Sequence, residues 1–213
     1  GGHDPLYAPQ SKEDSDIFNR FVLAGYDLVQ TWKGLVYHMT SRGSRFKDGA
    51  MRNPAGQVFM KGRESSEWLE QNLRSTRNFI RKWGHMVKHD EMMKPIIPPK
   101  YDIGFVVHNC DANLLKELEP WCSSIYVEDT SLIVEYITEE QKNTDFDLTK
   151  RVKPYIDKVN KSADSLLKLN SRLKSSYEWK NHNILVEFDA QKLNANNFQH
   201  LVNLSEIMSN SGE

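Results

Sequence analysis

Apolar positions in the first half of the chain recur at helical spacing in two places. Ile17, Phe18, Phe21 and Val22 predict the buried stripe of a helix starting near Lys12. Ser11 is its expected N-cap, Glu13, Asp14 and Asp16 sit in its first turn, and Gly25 lies just past its end. Leu69, Leu73, Thr76, Ile80 and Trp83 predict a second helix from near Ser65, closed by Gly84. Residues 28–32 and 35–38 read as short extended stretches on either side of Lys33-Gly34, and residues 39–57, rich in Ser, Arg, Gly and Asn, read as loop.

The second half mixes the two periods. The apolar run 103–107 predicts a central strand, followed by a helix that Asn109 or Asp111 caps, that carries Leu114, Leu115 and Leu118, and that Pro120 ends. Residues 124–127 and 132–137, joined at Asp129-Thr130, read as a hairpin in which Val134 and Tyr136 alternate with other residues. Leu148, Val152, Tyr155, Val159, Ala163, Leu166 and Leu173 predict one long helix over 147–174. A strand at 184–188 and a helix at 196–208 complete the order β-α-β-β-α-β-α. That order is compatible with a ferredoxin-like, split β-α-β domain, so the fold class is α+β.

Charge divides the chain where the periodicity does. The 213 residues carry a formal net charge of only −1, yet residues 33–94 hold 13 basic and 6 acidic residues while 101–150 hold 3 basic and 11 acidic. Pro95, Pro98 and Pro99 stand between them, three prolines in five residues that favour an extended spacer. The expected organisation is a unit over 1–94, a proline-rich linker over 95–100 and an α+β domain over 101–213. With 5 Trp, 8 Tyr and 9 Phe there is ample surface to bury, which excludes disorder along the whole chain. There is no apolar run near 18 residues and no leader-like apolar stretch in residues 1–16. Two cysteines make no disulfide framework, so a reducing, cytoplasmic setting is expected and both thiols are expected to be free and structural.

Candidate chemistry concentrates near the start. Crowded carboxylates at Glu13, Asp14 and Asp16 suit proton transfer or cation binding; they serve equally as first-turn charges on a helix dipole. Asp14-Ser15-Asp16 has the D-x-D form of metal-nucleotide sites, but the residues before it are polar and make no buried strand, which excludes that use. His85 and His89 have metal-ligand spacing if they share a helix, although no third ligand stands out. His108 and Cys110 fall at alternate strand positions, which alone does not make a thiol–imidazole pair.

Four elements together carry a resemblance. Gly1-Gly2-His3-Asp4-Pro5 resembles the G-G-F-D-E turn of inverting family-two glycosyltransferases, which have the GT-A fold. Glu13-Asp14-Ser15-Asp16-Ile17, Arg20 and Ala24-Gly25-Tyr26 resemble that family's E-D-x-D-L…R…G-Y segment. Val36-Tyr37-His38 resembles its V-x-H strand end, and the run Asn78 to Gly84 resembles its N…F…K-W-G helix. The match covers roughly residues 1–94 and departs at His3 and Pro5.

The resemblance implies transfer of a sugar from a nucleotide-sugar donor to an acceptor hydroxyl with inversion. Asp14 matches the base, Glu13 and Asp16 would orient it or meet the acceptor, and Asp4 would lie on the acceptor side. His38 matches a residue that ligates a divalent metal, Mg or Mn, in part of the family. Arg42, Arg45 and Lys47 would then contact the diphosphate, or else form a solvated basic loop. The acceptor would be a carbohydrate or a lipid-linked molecule. The family's nucleotide-binding half, with its strand-end D-x-D, is recognisable in neither half of the chain, so the isolated chain is expected to be inactive. The alternative is a non-enzymatic binding or scaffold module using the basic 33–94 surface. Trp68, Phe79 and Trp83 lie on or beside a helix's apolar face, which argues against nucleic acid as its partner. Self-association is left open.

Overall fold

The computed structural model describes residues 2–9, 11–34, 45–47, 50–52, 58–60, 66–155 and 182–211. The chain forms two units, one made of Gly1–Phe79 with Met86–Ile97, the other of Ile80–His85 with Pro98–Glu213.

In the first unit the acidic segment forms helix α1 (Glu13–Leu23). Ser11 does not cap it; Lys12 holds the cap position without a side-chain bond. Ser11 and Lys12 both lie in the left-handed region, φ 80 and 73. The apolar stripe is not buried as expected. Phe18, Phe21, Val22 and Leu23 stay exposed, and the buried α1 residues are Asp16 and Asn19. Residues 28–31 form no strand, and Trp32–Gly34 make a single 3₁₀ turn. Part of the expected loop, with the residues just after it, instead forms an antiparallel meander of β1 (Arg45–Lys47), β2 (Ala50–Arg52) and β3 (Val58–Met60). Helix α2 (Ser66–Trp83) follows and ends at Gly84 with φ 81, the left-handed closure that glycine makes without Cβ strain. Its last turn, from Ile80, clusters with the second unit.

The second unit is built on a four-stranded sheet. Its strands are β4 (Ile103–His108), β5 (Ser124–Val127), β6 (Val152–Pro154) and β7 (Ile184–Asp189), in spatial order β6-β5-β4-β7. Every neighbouring pair is parallel. This corrects the ferredoxin-like expectation, whose hairpin requires antiparallel pairing. Residues 103–107 are all buried, as expected for a parallel strand covered on both faces.

The expected hairpin strand is helix α4 (Thr130–Glu140). Asp129 caps it by accepting from the amides of Ser131 at 2.8 Å and Leu132 at 3.4 Å. Leu132, Ile133 and Tyr136 are its buried face, a helical spacing that overrides their strand propensity. The expected long helix stops after one turn, α5 (Leu148–Arg151), because Val152 pairs with Ile125 and Pro154 cannot continue a helix. Residues 156–174 of that expectation lie outside the described residues. Helix α3 (Ala112–Leu118) is capped by Asp111, whose side chain accepts from Leu114 N at 2.8 Å. The last expected helix is two, α6 (Ala195–Val202) and α7 (Leu204–Ser211), separated at Asn203.

A buried polar cluster lies within this unit. Arg81 is fully enclosed and donates to Glu119 and, at 2.9 Å, to Glu140 Oε1. Tyr136 Oη donates to Glu119 Oε2 at 3.1 Å, and Arg151 donates to the other Glu119 oxygen and to the Glu119 carbonyl. Two cations face two carboxylates, so the interior charge is balanced.

Candidate functional site

The acidic first turn of α1 is braced by its own neighbours. Arg20, one turn on, donates through Nε to Asp16 Oδ2 at 2.8 Å and through Nη2 to the Gly2 carbonyl. Tyr7 Oη donates to Asp16 Oδ1 at 3.4 Å, and the Tyr7 ring packs against Phe79 with centroids 6.4 Å apart. Asp4 caps the short turn Pro5–Tyr7 by accepting from Leu6 N at 3.0 Å. These bonds tie the N-terminal turn to α1. The left-handed Ser11 and Lys12, each costing on the order of 1 kcal/mol, turn the chain into the helix just before Glu13.

The result is a cavity of about 330 Å³ lined by His3, Asp4, Pro5, Tyr7, Ala8, Pro9, Glu13 and Asp14. Three of the carboxylates singled out in the sequence therefore meet in one place. Asp14 is exposed, as a proton acceptor for an incoming ligand must be. Glu13 Oε2 is shielded and has no hydrogen-bond partner among the described residues. Asp16 does not join them. It is 0% exposed and engaged by Arg20 and Tyr7, so its work is to hold the turn.

Asp14 also lines a second cavity, of about 420 Å³. Its walls are Asp14, Ser15, Phe18 and Asn19 of α1, residues 27–30, and residues 87–89 and 92–95. The last segment is shaped by Asp90, whose side chain accepts from Met92 N and Lys94 N, both at 2.8 Å. Gln30 Nε2 donates to the Met92 carbonyl at 3.1 Å and so joins two of the walls. Sequence reasoning missed this site. The signal visible in the sequence was the adjacent pair Met92-Met93, which the structure leaves exposed.

Other predicted residues fall elsewhere. His38 and Arg42 lie outside the described residues, and of Arg45 and Lys47 only the backbone in β1 is described. His85 and His89 share no helix, because α2 ends at Trp83. His85 is buried, and His89 pairs with Pro95 through the backbone. Among the described residues no three His, Cys, Asp or Glu side chains stand together as metal ligands.

The carboxyl ends of the parallel strands gather a second group that sequence reasoning did not assemble. His108, ending β4, contacts Glu128 Oε1 through Nδ1 at 2.8 Å and Glu187 Oε1 through Nε2 at 2.7 Å. Asn109 Nδ2 donates to Asp189 Oδ1 at 3.0 Å. Burial alone would lower the His108 imidazole; the bonds to Glu187 and Glu128 outweigh it and raise it above its ordinary value. Cys110 takes no part in that pair. Burial, with Asp111 beside it, pushes its thiol up to about 12, so no thiolate stands ready.

No family model matches the chain, and no curated protein or solved structure is significantly similar to it. No helix among the described residues is long and apolar enough to cross a membrane.

Proposed function

We propose that the first unit is the acceptor side of an inverting glycosyltransferase, with Asp14 as the base. The observation that carries this reading is the convergence of Asp4, Glu13 and Asp14 on one cavity. In the transfer, an acceptor hydroxyl enters with its oxygen aimed at the anomeric carbon of a nucleotide sugar. The Asp14 carboxylate takes the hydroxyl proton as the new C–O bond forms, the bond to the nucleoside diphosphate breaks, and the configuration inverts. Glu13 Oε2 accepts a hydrogen bond from a neighbouring hydroxyl, which supplies the partner that this oxygen lacks among the described residues. Asp4, held by its bond from Leu6 N, borders the same space.

A second observation supports a nucleotide-binding role for the other unit, the role that the resemblance leaves unfilled, so this reading expects turnover by the full chain where the resemblance alone implies none. Its sheet is all parallel, and β4, first in sequence, lies between β5 and β7. Open parallel sheets bind ligands outside the carboxyl ends of the strands, where the winding direction changes. Here that edge presents His108, Glu128, Glu187 and Asp189. Carboxylates there suit ribose hydroxyls. The turn after β4 has no glycine, so it offers no close cradle for phosphate.

The test is a transfer assay on the full chain with UDP-, GDP- and dTDP-sugars and simple glycoside acceptors, comparing the unaltered protein with Asp14→Asn and Glu187→Gln. Loss of turnover of a hundredfold or more in Asp14→Asn, with nucleotide binding unchanged, supports the base assignment. Equal turnover in both proteins refutes it. If no sugar nucleotide is turned over or bound, the scaffold reading of the basic 33–94 segment takes its place.

A further inference from the structure

Asn19 carries an inference about what the acceptor is. It lies on α1, is 4% exposed, and lines the 420 Å³ cavity that Asp14 also borders. Its Nδ2 is shielded and has no hydrogen-bond partner among the described residues. A buried amide donor left unpaired is costly, and native interiors keep few of them. Such a donor at the wall of a cavity is satisfied by an oxygen that a ligand brings.

The rest of the wall says what that oxygen is attached to. Phe18, Val29, Met92 and Met93 present large apolar side chains, each substantially exposed. Methionines adapt to irregular apolar shapes, and among the described residues no tryptophan or tyrosine lines the cavity as a stacking platform for a bare sugar ring. Its volume is within the range of small-molecule sites. The bond from Gln30 to the Met92 carbonyl and the Asp90-centred turn hold the methionine-bearing wall in place without a ligand.

We infer that this cavity binds the apolar body of the acceptor, a hydroxyl compound carrying an alkyl or prenyl group, with Asn19 Nδ2 donating to an oxygen next to the reacting hydroxyl. The inference rests on Asp14 being the base, since Asp14 is what joins the two cavities. It narrows the acceptor from either a carbohydrate or a lipid-linked molecule to an amphipathic one, and it separates two tasks. Glu13 and Asp14 meet the reacting hydroxyl, whereas Asn19 and the methionine wall select its carrier.

The test uses the full chain and two probes with the same sugar, octyl β-glucoside below its micelle concentration and methyl β-glucoside, with dissociation constants measured by NMR titration. The octyl compound is expected to bind at least tenfold tighter. Asn19→Leu, which removes the unpaired donor to the shared sugar, should weaken both glucosides about tenfold, whereas Val29→Asp, which places a charge on an exposed wall residue, should weaken octyl glucoside about tenfold and leave methyl glucoside unchanged. Equal affinity for the two probes, or tight octyl binding indifferent to both substitutions, overturns the inference. Asp14→Asn separates it from the reading on which it rests. If octyl binding persists and turnover is unaffected by Asp14→Asn, the base assignment fails while the cavity assignment stands. If turnover is lost but the alkyl chain adds nothing to binding, the reverse holds.

Discussion

Arg81 Nε and Nη2 both donate to Glu119 Oε2, at 2.8 and 2.7 Å, and both side chains are fully enclosed. Such a pair stabilises little relative to apolar residues of the same shape, because both charges leave water. Removing one member is another matter, since its partner is left buried and charged.

Arg81→Met is therefore expected to lower unfolding stability by about 3–5 kcal/mol, by chemical denaturation. Acid should act through the same pair. Burial would raise the Glu119 carboxyl, but Arg81 and Arg151 outweigh it and hold it below its ordinary 4.5. A depressed carboxyl contributes stability that is present above its unfolded value and lost as pH falls through the folded one. The midpoint difference between the native protein and Glu119→Gln should shrink steadily below pH 4.5. A difference that does not change with pH would remove the pair from the acid response.

His108 predicts the opposite slope. Facing Glu128 and Glu187 on its two nitrogens and the Tyr155 ring at 5.2 Å, it titrates above its unfolded value near 6.5. Its contribution is full below pH 6.5 and is lost as pH rises through the folded value. His108→Gln should lower stability at pH 5.5 and cost close to nothing at pH 9, by thermal unfolding at the two pH values. An equal cost at both would show that the imidazole is held neutral.

Neighbouring aspartates of α1 should behave differently. Asp16→Ala removes a fully buried acceptor of two bonds and is expected to cost about 2 kcal/mol of stability. Asp14→Ala, at an exposed position, should change stability by less than about 0.5 kcal/mol. Denaturant midpoints for the two variants check this. A large loss in Asp14→Ala would mean that its carboxylate is structural.

Both thiols should resist alkylation. Burial raises the Cys110 thiol to about 12 and pushes the fully buried Cys122 higher still. Iodoacetamide at pH 7.5 should label Cys110 far more slowly than free cysteine and Cys122 only after unfolding, as followed by mass spectrometry. Rapid labelling would contradict the raised thiol of half-buried Cys110 and the burial of Cys122.

Where the sequence was legible, one local signal decided the outcome. Gly84 closed α2, Asp111 capped α3, and the apolar runs at 103–107 and 184–188 became strands. The misreadings came from weighing side-chain preference above chain geometry. Val134 and Tyr136 favour strands, yet the Asp129 cap and the buried face at Leu132, Ile133 and Tyr136 make a helix. Pro154 stood in plain view inside the expected long helix. Of the candidate site, the proximity of Glu13 and Asp14 was legible because they are adjacent. Asn19 was not, since an unpaired amide is a property of its surroundings. The edge formed by His108, Glu128 and Glu187 was hidden for the same reason, its members being brought together by strand order.

The placement of β7 beside β4 has a consequence for biogenesis. Ile103 pairs with Ile184, so one whole side of β4 waits for roughly 80 further residues to leave the ribosome, while β5 and β6 arrive early. During that interval the nascent sheet carries a bare apolar border whose natural mate is any copy of the segment 184–189 within reach. Crowded polysomes would then favour exchange of β7 between growing chains. The strand that joins the described sheet last is thus the one that decides whether each molecule closes on itself.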